Sequence, residues 1–151
     1  MDIEQLERFL LTARERTCLG KGQRPPPERP GAVEIVFREG GLTYRDSYFG
    51  RNRLIGQEVV RRASRVVWAM NYIVLIESPS PIGDELALFL QRAQLARYRE
   101  RQLLGPYRFE ERSLRYEDHT EGNLDLFQGE TVVYHDQQSI FRMPYRGGLL
   151  H

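Results

Sequence analysis

Slid along itself by 72 positions, the sequence lays Phe37–Val60 over Phe109–Val132 with nine identities in twenty-four positions. Base composition alone would give roughly one or two. The pairs are Phe37/Phe109, Glu39/Glu111, Leu42/Leu114, Tyr44/Tyr116, Asp46/Asp118, Gly50/Gly122, Leu54/Leu126, Glu58/Glu130 and Val60/Val132. One extra residue, assigned to the hairpin after Val132, moves the offset to 73. Trp68-Ala69-Met70-Asn71-Tyr72 then lies over Phe141-Arg142-Met143-Pro144-Tyr145. At offset 80, Leu6, Phe9, Leu10 and Ala13 match Leu86, Phe89, Leu90 and Ala93. A repeat of this length constrains the fold more than any single motif does.

The unit being repeated reads as one helix and four strands. Apolar residues at helical spacing predict a helix over Asp2–Arg16, with Asp2 as N-cap. Gly20–Gly31 is rich in glycine and consecutive prolines, so an exposed, partly polyproline II loop is expected. Strands are expected over Val33–Glu39, Leu42–Phe49, Arg53–Arg61 and Arg65–Ile76, divided by polar and glycine turns. Ser78-Pro79-Ser80-Pro81 breaks the pattern. A second helix is expected from Gly83 to about Leu103, stopped by Gly105-Pro106. Four further strands cover Tyr107–Glu111, Leu114–His119, Leu124–Tyr134 and Ser139–Tyr145. The expected fold is α+β: a tandem α-β-β-β-β duplication. It forms one domain over residues 1–151, with repeats at about 2–76 and 83–148. Four strands under one helix leave open edges, so the two copies should share a largely antiparallel curved sheet or partial barrel under two packed helices.

Alternation along the strands puts the repeated identities on one face. That face carries Tyr44, Asp46, Glu58, Trp68 and Tyr72 from the first copy, and Tyr116, Asp118 and Glu130 from the second. A plain core face would be aliphatic and aromatic. Acids among rings suit a concave site for a cationic or amphipathic organic molecule, because ring faces attract cations and a buried carboxylate needs a partner. Against this stands a purely structural role. Asp46 and Asp118 could hydrogen-bond turn amides, and Glu58 and Glu130 could pair with arginines such as Arg45 or Arg142.

Composition removes several classes. Lys+Arg 22 against Asp+Glu 21 gives a net charge of +1, too little for a nucleic-acid binder resting on bulk charge. The single cysteine, Cys18, permits no internal disulfide or Cys-based zinc cluster. His119, His135 and His151 have no metal-ligand spacing, so neither metal nor cofactor is expected. No apolar run is long enough to span a bilayer. The start Met1-Asp2-Ile3-Glu4 lacks the basic and apolar regions of a secretory signal, and the expected address is the cytoplasm.

Tyr44-Arg45-Asp46-Ser47-Tyr48-Phe49-Gly50, Gly56-Gln57-Glu58-Val59-Val60, Trp68-Ala69-Met70-Asn71-Tyr72 and Tyr145-Arg146-Gly147-Gly148-Leu149 together resemble a bacterial family of uncharacterised domains. Its members stand alone or follow a helix-turn-helix in regulators of the xenobiotic-response type. The resemblance carries no activity; it implies a sensory role. The expected function is therefore a small-molecule binding domain with its site between the two copies. The rivals are an enzyme using Glu58 or Asp46 as general base, and a homodimer formed through a sheet edge or the strand after Trp68.

Overall fold

The computed structural model describes residues 1–77 and 83–151, so the Ser78–Pro81 break falls outside the described residues. The chain forms α1 (Ile3–Cys18), β1 (Val33–Glu39), β2 (Leu42–Gly50), β3 (Arg53–Arg62), β4 (Arg65–Ile76), α2 (Gly83–Arg99), β5 (Tyr107–Glu111), β6 (Leu114–Asn123), β7 (Leu126–His135) and β8 (Gln138–Leu149). All eight strands join one antiparallel sheet in the order β1-β2-β3-β4-β8-β7-β6-β5. The sheet is curved and does not close, and β1 and β5 are its edges. This is the expected α+β architecture.

Each helix buries one apolar stripe. Asp2 caps α1 by accepting the Glu4 N–H at 3.1 Å. Leu6, Phe9, Leu10 and Ala13 of α1, and Leu86, Phe89 and Ala93 of α2, are buried in one core. Each such Leu or Phe contributes roughly 1.5–3 kcal/mol by leaving water. The two halves use the same aromatic contact. Phe9 lies 6.0 Å from Phe37, and Phe89 lies 5.8 Å from Phe109. Helix α2 ends earlier than Gly105-Pro106 would require. Arg101 has a positive φ of 61°, and the Arg97 side chain bonds the Gln102 and Leu103 carbonyls. The turn chemistry at Arg101 ends the helix before the glycine is reached.

The halves meet at β4 and β8, where Tyr72 stands opposite Tyr145. These two residues are equivalents at offset 73, so the pseudo-twofold axis runs between them. Pairing lapses at residues 73–74 and 143–144, where Pro144 has no N–H to give, and resumes at Leu75/Arg142. The strand after Trp68 is flanked by β3 on one side and β8 on the other. It is therefore an interior strand, and among the described strands β1 and β5 are the edges. The Pro-rich loop lends a bridge to the β1 edge, Gln23 opposite Val36.

The offset changes earlier than the sequence comparison places it. In the first half three residues separate the pair Gly50/Leu54; in the second, four separate Gly122/Phe127. The inserted residue thus lies in the β6–β7 turn. From there on the true equivalences run at 73: Gly56 with Gly129, and Val60 with Val133. Leu54/Leu126, Glu58/Glu130 and Val60/Val132 are matches of letters, not of places. A one-residue slip moves a side chain to the other face.

Candidate functional site

The shift in register decides which acids meet. Asp46 pairs across the ladder with Glu58, and Asp118 with Thr131. Thr131, not Glu130, occupies the place of Glu58. Glu130 lies on the opposite face, where Arg142 donates to it at 2.8 Å. That is the arginine pairing weighed for it above, and it keeps Glu130 apart from the other acids.

Between the helices and the middle of the sheet lies a pocket of about 270 Å³. Of the eight candidate residues it gathers Asp46, Glu58, Tyr72, Tyr116 and Asp118. Tyr44 and Trp68 are core residues beneath the wall. Trp68 stacks on Phe127 at 6.0 Å, and its indole N–H has no hydrogen-bond partner. A larger and more open hollow of about 690 Å³ lies on the helix-free face, around Ile55, Ile73 and Pro144. It holds no buried charge, so we place the candidate site in the smaller pocket.

At the second-half end, Asp118 is fully buried and fully engaged. Arg97 of α2 lies 3.1 Å from its Oδ2. Thr131 donates to it at 2.7 Å, Tyr145 at 2.9 Å and Thr120 at 3.0 Å. The loop after α2 closes over this cluster. The Gly105 N–H bonds the Thr120 hydroxyl at 2.8 Å, and a Cβ on Gly105 would run into Asp118. A buried charge so surrounded is compensated.

The first-half end is different. Glu58 receives both bonds of Arg14 from α1, at 3.0 and 2.7 Å. Burial pulls the Arg14 guanidinium down, but Glu58, with smaller help from Tyr98 and Tyr44, outweighs that and holds it charged. Asp46 has no cation within salt-bridge reach; the Tyr72 hydroxyl donates to it at 2.7 Å. Burial, and then the neighbouring Glu58 charge, push the Asp46 carboxyl up to about 7. The same surroundings raise the Tyr72 hydroxyl, first through burial and then through Asp46. The loop that would cover this end, the Pro-rich 20–32 segment, lies elsewhere. Arg29 bonds Ser47 at 2.8 Å and sits over Phe49, both on the opposite face.

Arg14, Arg97, Thr131 and Tyr145 were not among the sequence candidates. A signal existed for the arginines. Arg14 follows Leu6 and Leu10 at four-residue steps, and Arg97 follows Ala93 in the same way. A charge at the next step of an apolar stripe points inward. The two are not repeat equivalents, since Arg14 matches Gln94 and Arg97 matches Thr17, so a search for identities passes over them. Cys18 is half-buried beside Gln91 and Gln94, and burial raises its thiol. Among the described residues no group of acids, histidines and cysteine is placed to hold a metal ion, and no helix is long and apolar enough to cross a membrane.

No curated protein matches the chain, and no solved structure does. One family profile matches residues 46–150, more than two thirds of the sequence. The match begins at Asp46 and takes in Glu58, Tyr72, Arg97, Asp118 and Tyr145, while Arg14 lies before it. By that extent the chain belongs to the family described as Domain of unknown function (DUF5680).

Proposed function

We propose that this chain binds a small amphipathic organic molecule in the pocket between its two halves, with the polar end of the ligand on Asp46. The observation that carries this reading is the unequal treatment of the acids on the pocket wall. Glu58 and Asp118, both buried, have guanidinium partners, and Asp46, half-buried on the same pocket wall, has none. Natural interiors pair such charges with cations, and a pocket carboxyl held by a hydroxyl and a backbone amide but by no cation is a candidate place for one to bind. Tyr48, Tyr72, Tyr98 and Phe127 supply ring faces and apolar area around it. On this reading the domain is the receiving part of a sensory device in a bacterial cytoplasm, the role implied by the resemblance to domains behind helix-turn-helix heads.

The test is a thermal-shift panel of aryl and alkyl amines, quaternary ammonium ions and matched neutral compounds. Stabilisation of the wild type that is lost in Asp46→Asn supports the reading. A flat response across the panel, or one unchanged by Asp46→Asn, overturns it.

A second reading, an enzyme using Asp46 as general base, draws on the same carboxyl, whose proton affinity suits proton transfer near neutrality. It requires turnover of a bound compound. Recovery of the panel's ligands unchanged after prolonged incubation argues for binding alone.

A further inference from the structure

The pocket wall carries five ionisable groups of fixed sign: Arg14 and Arg97 against Asp46, Glu58 and Asp118. If all five are charged, the enclosed sum is one negative charge in excess. Both guanidiniums make their direct contacts elsewhere, so Arg14 offsets the excess at Asp46 only through its charge at a distance. Arg14 gives two bonds to Glu58 and one to the Met70 sulfur, and Arg97 spends its donors on Asp118, the Tyr116 hydroxyl and two carbonyls. What faces Asp46 makes the excess local. Glu58 from β3 stands directly across the ladder, Tyr72 from β4 donates to it, and β1 sets the uncharged Ile35 opposite. Arg14 from α1 is turned to Glu58. Across the pocket are Arg97 and Tyr98 from α2 and Asp118 from β6. A lone buried charge is costly, and a proton or a cation is the only means of removing it.

We propose that Asp46 carries a proton when the pocket is empty and exchanges it, one for one, for a singly charged organic cation. This rests on the binding reading above and gives the ligand its class: a monocation, with an apolar body small enough for about 270 Å³. In the exchange the O–H bond of Asp46 breaks and the proton passes to solvent buffer; no other bond changes. The pocket is neutral before and after. A dication would leave it positive, and a neutral molecule would leave the proton in place. The proton affinity of Asp46, raised by burial and by Glu58, is of the size the exchange needs.

The probe is benzyltrimethylammonium, whose charge does not depend on pH, so any proton released comes from the protein. Carboxyl 13C NMR on the ligand-free wild type should show Asp46 titrating near neutrality. Calorimetry in buffers of different ionisation enthalpy, at about pH 6, should show about one proton released per cation bound. Asp46→Asn, which resembles the protonated form and should fold, is expected to weaken binding at least about tenfold and to abolish the release. An Asp46 midpoint in the ordinary carboxylate range overturns the exchange. So does binding with no proton released between about pH 5.5 and 7, although the binding reading then survives. A protonated Asp46 with no binding of this probe or of any cation in the panel overturns both.

Discussion

Asp46 and Asp118 occupy one place in two copies of the same unit, and the molecule treats them differently. Each accepts a hydrogen bond from the tyrosine on the central strand pair, Tyr72 or Tyr145. Around Asp118 the second half adds a guanidinium, two threonine hydroxyls and a covering loop; around Asp46 the first half adds another acid. A duplicated unit begins with two equal sites. Here one is tied into a buried network with a guanidinium, and the other accepts from a tyrosine with no cation in salt-bridge contact. Asp118 is fully buried whereas Asp46 keeps some exposure to the pocket, and the partners differ as well; exposure and partners together decide how firmly each carboxylate is tied into the fold.

The largest effect should come from breaking that buried network. Asp118→Asn leaves Arg97 buried without its counter-charge, and such breaks cost about 3–5 kcal/mol. The same change at Asp46 removes no ion pair and should stay within about 1 kcal/mol in mildly acidic solution. Urea unfolding of the two variants side by side measures the gap. Equal losses would erase the distinction between the two ends. Glu58→Gln should fall between them, at about 2–3 kcal/mol, because Arg14 loses its partner but keeps some access to water. It should also lower the Asp46 midpoint, since the neighbouring negative charge is gone.

The pH dependence sharpens the comparison further. In an unfolded chain an aspartate gives up its proton near about pH 3.9. In the folded chain Asp46 keeps it to about 7. Between these limits the folded state binds more protons, so Asp46 lowers stability progressively as pH rises. Its cost is absent below about pH 4 and complete above about pH 7. Each unit of separation is worth about 1.4 kcal/mol, and partial access to water reduces the total to about 2 kcal/mol. Asp46→Asn removes this slope. Its stability relative to wild type should therefore improve by that amount from about pH 4 to 7 in urea titrations. A gap that stays constant with pH would mean Asp46 is as well compensated as Asp118.

Much of this was legible in the residues, and the parts that were not share a cause. The helices, most strand limits and the joint sheet follow from periodicity and from the repeat, because both record burial directly. The aspartates were placed correctly on one face by alternation from Leu42 and Leu114. Identity at offset 72 puts Glu130 on the wrong face, because the glycines match at 73, as Gly56 and Gly129, and Thr131 stands opposite Asp118. Each of those glycines faces a tyrosine ring, and the ring is what fixes the register there. The arginines escaped notice because each half solved its own charge problem with a different helix position. Repeats reveal what two copies retained. The asymmetry that makes a site has to be read from what they did not.

The smallest contrast lies in those two glycines. The atoms nearest a Cβ on Gly56 all belong to the Tyr72 side chain, its hydroxyl included, whereas those nearest one on Gly129 include the backbone carbonyl of His119 as well as the Tyr145 ring and hydroxyl. A side chain facing a half-open pocket can give way; a backbone carbonyl within a ladder cannot. Gly129→Ala should therefore cost about 2 kcal/mol and Gly56→Ala about 1 kcal/mol. The cheaper change carries the more informative second effect. Displacing the Tyr72 ring takes its hydroxyl away from Asp46, and that bond is one of the influences holding the Asp46 proton affinity down. In Gly56→Ala the Asp46 midpoint should move upward in 13C titrations while the fold stays intact by urea unfolding. An unmoved midpoint with Tyr72 displaced would show that Glu58 and burial alone govern Asp46, and that the tyrosine is shared by the two halves for packing only.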